Sequence, residues 1–172
     1  FVIANVRTGE AKRFLETNHI QGFAGGSIKI GLAAPDGSLV ALGCFKRRGE
    51  QTVALTRYAT SRNVPGGLGR ILSRLCREHP SITSIVTFAD HCVSSGALYE
   101  RLGFRKDRVC PPDYCYLVGA QRVHKFGFRR ARFQRDETLR YDPAHGRALA
   151  DLNGIDRIWD SGKTRYVLRI DR

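Results

Sequence analysis

The stretch that most constrains how this chain can fold runs from residue 55 to residue 77. It reads in order as a strand, a loop, a glycine-rich turn and an amphipathic helix. Leu68, Ile71, Leu72, Leu75 and Cys76 recur at spacings of three and one, which puts them on one helical face. Arg70, Ser73, Arg74 and Arg77 take the opposite face, and Pro80 stops the helix. Gly66, Gly67 and Gly69 sit where the helix begins, so no side chain blocks its first backbone N–H groups. A helix start of this kind is a ready site for a pyrophosphate. Three glycines alone carry little weight. The lysine of a P-loop is absent, and Leu72 stands where a dinucleotide fingerprint has its third glycine. A flexible turn before a core helix is the plainer reading of these residues by themselves.

The residues beyond this helix change the balance. A β-rich run over residues 82–90 leads into a short helix over residues 97–104. With both in place, the chain resembles the GNAT superfamily of N-acetyltransferases, whose motifs are Gln/Arg-x-x-Gly-x-Gly/Ala and, later, Tyr-x-x-x-Gly-Phe. Gly67 and Gly69 match the first motif, with Val64 at its Gln/Arg position; Tyr99, Gly103 and Phe104 match the second. The resemblance covers roughly residues 8–118. It implies an α/β (α+β) fold built on a mixed, mostly antiparallel sheet with helices on both faces. It also implies acetyl-CoA or another acyl donor held by Val64, Gly66, Gly67, Leu68, Gly69 and Arg70. Tyr99 resembles the tyrosine that protonates the departing thiolate; a half-buried core aromatic is the other reading of that residue.

At 172 residues the chain suits one domain with an appendage, here residues 1–119 and a basic extension over residues 120–172. A net charge of +13 points to polyanions: nucleic acid, a membrane surface or acidic substrates. No apolar run approaches the ~18 residues that span a bilayer, and no signal-peptide pattern is present. The expected place is therefore the cytoplasm, the host's if the protein is phage-encoded, with no membrane partner. The five cysteines are odd in number and scattered; Cys110 and Cys115 could form half of a metal site, but no second pair completes it. Free thiols in a reducing compartment are the expectation. The chain begins at Phe1 and contains no Met, which suggests a piece of a longer protein with a further domain before it.

Taken in order, residues 8–18 read as a first helix with Thr8 as N-cap and Ala11, Phe14 and Leu15 inward. Residues 27–33 and 38–45 read as strands of a hairpin turned by Pro35, Asp36 and Gly37, and residues 52–58 as a third strand. The helix over residues 97–104 has Gly103 as its C-cap, and one or two strands surround Pro111 and Pro112. A short helix is expected near residues 148–152, then a final strand pair over residues 157–168 that turns at residues 160–163.

Residues 122–135 hold six Lys/Arg and no acid: Arg122, Lys125, Arg129, Arg130, Arg132 and Arg135, interleaved with Phe126, Phe128 and Phe133. Cations suit phosphates and rings suit bases, so this segment is the candidate nucleic-acid contact, and no regular element is expected to align its arginines. The alternative is a solvated cationic segment that docks its phenylalanines on a core.

Two pieces narrow the family. Asn18, His19, Ile20, Gln21 and Gly22, with Ile30, Gly31 and Leu32, Phe88, Ala89 and Asp90, and the run from Gly96 to Tyr99, resemble the Mom-type DNA-modification proteins of phages. The core, the basic segment and the terminal strand also resemble domains attached to phage homing endonucleases. The first resemblance nominates His19 and Asp90 as a base with its orienting group, or as ligands of a divalent metal. The plainer readings are a helix-terminal histidine bonded to backbone and an aspartate capping a turn. No nuclease signature is present. The functional expectation is a DNA-modifying acyltransferase acting on a nucleobase; the alternatives are a non-catalytic DNA-binding accessory domain and an ordinary N-acetyltransferase of a protein or small amine.

Overall fold

The computed structural model describes residues 1–170. The chain forms two compact units. One comprises Phe1–Ala89, Ser95–Arg108 and the C-terminal strand from Thr164; the other comprises Asp90–Ser94 and Val109–Lys163. The division thus falls about ten residues before the expected boundary at residue 119, and the chain's last strand returns to the first unit.

The first unit is built on a seven-stranded sheet. Its strands are β1 (Val2–Asn5), β2 (Ile28–Ala33), β3 (Leu39–Arg47), β4 (Thr52–Thr60), β5 (Ser84–Asp90), β6 (Arg105–Cys110) and β10 (Lys163–Arg169), in the order β1-β2-β3-β4-β5-β10-β6. The first four are antiparallel neighbours, whereas β4 and β5 run parallel. The mixed, largely antiparallel sheet expected from the sequence is therefore present. The hairpin of β2 and β3 turns at Gly37, whose φ of +82° only glycine adopts at low cost.

Helix α1 (Thr8–Asn18) covers one face and α2 (Gly67–Glu78) the other. Leu68, Ile71 and Leu75 of α2 pack on Ile30, Leu32, Phe45, Val53, Ile85 and Tyr166, all buried. Ala11 and Leu15 of α1 pack on Leu42, Cys44 and Ala59. The 3.6-residue apolar period read from residues 68–76 is what seats α2, and His79 with Pro80 ends it. Thr8 is the first helical residue of α1 rather than its cap; Arg7 takes that position, and no side-chain bond caps the end. The short α3 (Ala97–Arg101) closes on Leu102 and then Gly103, at φ +84°.

In the second unit, β7 (Tyr114–Val118) is the centre of a three-stranded sheet ordered β8-β7-β9, with β8 at Gln121–His124 and β9 at Asp156–Trp159. A 3-10 turn over Lys125–Phe128, α4 (Arg130–Arg135) and α5 (Leu149–Leu152) pack on it around Tyr116, Phe128, Phe133, Leu149 and Ala150. The expected terminal hairpin does not form. Its turn is real, with Gly162 at φ +81° and the Asp160 carboxylate accepting from the N–H of Gly162. The two strands then part: β9 pairs with β7, and β10 enters the large sheet between β5 and β6.

Candidate functional site

Strands β4 and β5 pair only over Thr52–Ala54 against Ser84–Val86, although both run on well beyond. Where the ladder ends, Thr87 Oγ1 donates to the carbonyl of Leu55 across the widening gap (3.3 Å). A β-bulge sits at the same place. Cys44 faces Arg57 and Phe45 faces Leu55, so Thr56 is the extra residue in β4. The bulge resets the alternation of the strand. Leu55 and Tyr58 point to the α2 side, whereas Arg57 and Ala59 point to the α1 side. The gap and the bulge lie toward the end of β4 that leads into the glycine turn, so the open strand edge and the start of α2 share one end of the sheet.

The turn itself is well defined. Gly66 holds φ +69° with open space where a Cβ would be, and Arg70 N–H bonds back to its carbonyl. Gly67 N–H is taken by the carbonyl of Val64 at 3.0 Å. Burial drives the hydroxyl of Tyr58, which packs beside the turn, above the ordinary phenol value. Gly67 itself is buried: a Cβ there would stand 2.8 Å from Tyr58 Oη and 3.1 Å from Val64. Its absence of side chain therefore serves packing as well as access. Val64, at the position where the motif has Gln or Arg, is buried in the core under α2. Arg70 is exposed and lies over the ring of Phe1 at 5.8 Å. The residues fit a phosphate-bearing cofactor through the open face at Gly66, the N–H of Gly69 and the exposed Arg70, with the parted edge of β4 offering unpaired backbone to an amide-containing arm.

Tyr99 is half-buried between Phe104 (ring centroids 5.7 Å) and Tyr166 (5.6 Å). Tyr166 is fully buried and donates to Glu100 Oε1 and the carbonyl of Ser95. Both readings of Tyr99 retain support, since the ring packs in the core while the motif position is kept.

His19 caps the C-terminus of α1 and is half-buried; its Nδ1 accepts from the N–H of Gln21 at 3.1 Å. Burial, and then the charge of Arg57, hold it below the ordinary histidine value. The neutral ring consequently carries its proton on Nε2 and presents a donor there, with its one lone pair already used. Asp90 accepts from the N–H of Cys92 (2.9 Å), and its own carbonyl takes Val93 and Ser94, so it organises the turn after β5. His19 and Asp90 belong to different units, each held by its own turn. Among the described residues no three or more His, Cys, Asp or Glu side chains gather as metal ligands.

The basic segment is structured, contrary to expectation. Phe126 is exposed (61%) with the guanidinium of Arg129 4.3 Å above it and His124 alongside. Phe128 and Phe133 are buried against Tyr116, so Phe128 is not free to stack on a base. Arg132 lies over Phe128 and reaches Asp136, and Arg130 donates to the hydroxyl of Tyr141. Lys125 is bound by both oxygens of Asp113, at 2.6 and 2.7 Å. Arg122 and Arg135 are exposed. Trp159, unremarked in the sequence, is also exposed (60%) and packs on Tyr114 at 5.0 Å. Arg57 and Lys29 carry no signal in the sequence, because what distinguishes them is the company they keep in the fold.

A parted parallel strand pair with a glycine-started helix at its open end defines the acetyltransferase-like class of α+β folds. Comparison with solved structures agrees. The chain is similar to the ribosomal-protein-S18-alanine N-acetyltransferase of Escherichia coli (TM-score 0.58, 15% identity, covering 99% of this chain and 94% of that one). It is similar to a Bacillus subtilis acetyltransferase in complex with CoA (0.57, 12%, 98% of each chain). A GNAT family acetyltransferase from Elizabethkingia anophelis with acetyl-CoA bound gives 0.57 at 8% identity, covering 98% and 97%. At such identities the likeness establishes the GNAT acetyltransferase fold. No family model and no curated protein matches the sequence. Among the described residues no helix is long and apolar enough to cross a membrane.

Proposed function

We propose that this chain is an acyl-CoA-dependent acyltransferase whose acceptor is carried by DNA. The observation that carries the transfer reading is the parting of β4 from β5 after Ala54 at the end of the sheet where α2 begins. Two structures of similar fold hold CoA or acetyl-CoA, which favours the same ligand here. Bound there, an acyl-CoA would supply an activated acyl group as a thioester. The chain's own part is to hold the phosphates at Gly66, Gly69 and Arg70, and to exclude water from the gap with the apolar side chains beneath α2. Tyr99 is assigned the proton that a departing thiolate needs. No hydrogen bond ties up its hydroxyl among the described residues. DNA as the partner is supported by the net charge of +13 and by the exposed Phe126, Arg129 and Trp159 of the second unit. The narrower likeness to Mom-type DNA modification belongs to this proposal.

One observation favours a second reading, a DNA-binding module without catalysis. The N–H of Gly67, at the start of α2, is already engaged by the carbonyl of Val64, and the Tyr58 hydroxyl packs against the same turn. Calorimetry with acetyl-CoA separates the two. The transfer reading expects saturable heat, followed by an added acyl mass on nucleosides digested from DNA incubated with protein and acetyl-CoA. Absence of heat together with tight DNA binding would leave the module.

A further inference from the structure

Lys29, Cys44 and Arg57 form one cross-strand row on β2, β3 and β4, on the side of the sheet that α1 covers. Residues paired directly across an antiparallel ladder share a face, so the two cations flank Cys44, their Cα atoms about 10 Å apart over two strand spacings. Arg57 is there only because of the bulge at Thr56; in an unbroken β4 it would point under α2. Both cations are half-buried, and among the described residues neither has a carboxylate partner. Elsewhere the chain pairs such cations with acids: Arg74 with Glu78, Arg157 with Asp151, Arg165 with Asp107.

Backbone carbonyls hold this pair instead. Arg57 Nε donates to Gly22 (3.0 Å) and Nη1 to Thr56 (2.8 Å), while Lys29 Nζ donates to Gly26 (2.8 Å). These bonds fix the guanidinium plane and, among the described residues, leave three of its five N–H donors unused. His19 stands beside Arg57 and presents Nε2–H, also without a partner among the described residues. Cys44 is no counter-charge, since burial pushes its thiol up to about 11. Among the described residues the acceptors of the two cations are backbone carbonyls, and none is an anion. Partial burial of a cation without a counter-charge costs free energy, so an anion bound here would be favoured.

We infer that Arg57, Lys29 and His19 form a binding subsite for an oxyanion, phosphate or carboxylate, on the face of the sheet opposite the start of α2. Its assignment to the acceptor, and so to a group next to the acylated atom, rests on the transfer reading above; the anion site itself does not. In the DNA reading the oxyanion is a backbone phosphate, and in a small-acceptor enzyme it is a carboxylate.

The test is an NMR titration of the whole chain with inorganic phosphate and, separately, acetate. It follows the Arg57 Nε–H resonance and the pH titration of the His19 ring. Either anion should shift the Arg57 resonance saturably and raise the His19 titration midpoint, because a bound anion offsets the neighbouring guanidinium. A stronger response to phosphate identifies a nucleotide acceptor, and a stronger response to acetate a small acid. Arg57→Gln should weaken binding by at least about tenfold, the worth of one charge-assisted hydrogen bond. In the anion-free Arg57→Gln protein the His19 midpoint should already lie higher than in wild type. Lys29→Gln provides a second variant if Arg57→Gln does not fold. No response of wild type to either anion at about 50 mM, enough to fill a site of even ~10 mM affinity, overturns the inference. Because acetyl-CoA plays no part in this titration, a failure of the anion site and a failure of the transfer reading are told apart.

Discussion

Gly96 and Gly66 offer a matched pair for asking what fixes the first unit. Both precede a helix in the left-handed region, at φ +81° and +69°. Their surroundings differ. A Cβ on Gly96 would stand 2.2 Å from Tyr166 Oη and 2.6 Å from its Cζ, whereas a Cβ on Gly66 meets nothing within 4 Å. Alanine at either position carries a backbone cost of about 1–2 kcal/mol. Only at Gly96 does it also force overpacking, about 1–3 kcal/mol, because Tyr166 is fully buried and has nowhere to go. Displacing Tyr166 further strains the hydrogen bond that its one O–H proton shares between Glu100 and Ser95, worth ~1 kcal/mol in all. Gly96→Ala should therefore destabilise by about 3–6 kcal/mol and Gly66→Ala by about 1–2 kcal/mol. Since whole domains are stable by only ~5–15 kcal/mol, the first variant should sit close to unfolding. Urea denaturation followed by circular dichroism reads both. Equal midpoints for the two variants would refute the argument, showing that Tyr166 yields freely and does not brace α3.

Other outcomes concern the second unit and the thiols. On duplex DNA, replacing Arg129, Arg130 and Arg132 by Gln should flatten the log–log salt dependence of binding by roughly 2, at ~0.9 per lost phosphate contact, in an anisotropy titration. Phe126→Leu should weaken single-strand binding by about 1–3 kcal/mol without changing that slope. Phe128→Leu, inside the core, should lower stability instead, and equal effects of the two on binding would contradict their different burial. Asp113 lies below the ordinary carboxylate range, chiefly through its bond to Lys125. A carboxyl lowered by folding stabilises above its unfolded value of about 3.9 and loses that stability as pH falls through the folded value. Unfolding monitored by Trp159, the chain's one tryptophan, should thus ease below about pH 4, and Lys125→Met should blunt that acid sensitivity. Brief iodoacetamide treatment near neutrality should label exposed Cys92 and spare Cys44, whose thiol is buried and lifted to about 11; early labelling of Cys44 would count against the packing beneath α1.

The large sheet and its two covering helices were legible because their signals are local. Apolar spacing on α2, the Pro35 and Gly37 turn, and Gly103 after α3 each act within a few residues. What was not legible depends on partners distant in sequence. The turn at Gly162 was read correctly, but nothing local says that β9 pairs with β7 while β10 joins β5 and β6. Phe126 and Phe128 look alike in the sequence, and only the fold sends one outward and the other under Tyr116. The α4 helix escaped notice because Phe128 and Phe133, five residues apart, match neither the helical nor the strand period. Arg57 gave no signal at all. The bulge that turns it over leaves no glycine or proline behind, and the carboxylates that fail to meet it cannot be seen in a string of letters.

The return of β10 to the large sheet bears on the order in which the chain can assemble. β6 and β10 are neighbours, yet 52 residues separate Cys110 from Lys163. Compared with a turn of about four residues, closing so long a loop costs about 2 kcal/mol more in chain entropy. That cost is met in advance if the inserted residues fold first. The second unit brings its own ends together, with Gly162 packed so closely on the carbonyl of Cys110 that a Cβ would lie 2.6 Å from it. Prior folding of the inserted residues would in this way lower the entropy cost of adding β10 to the large sheet.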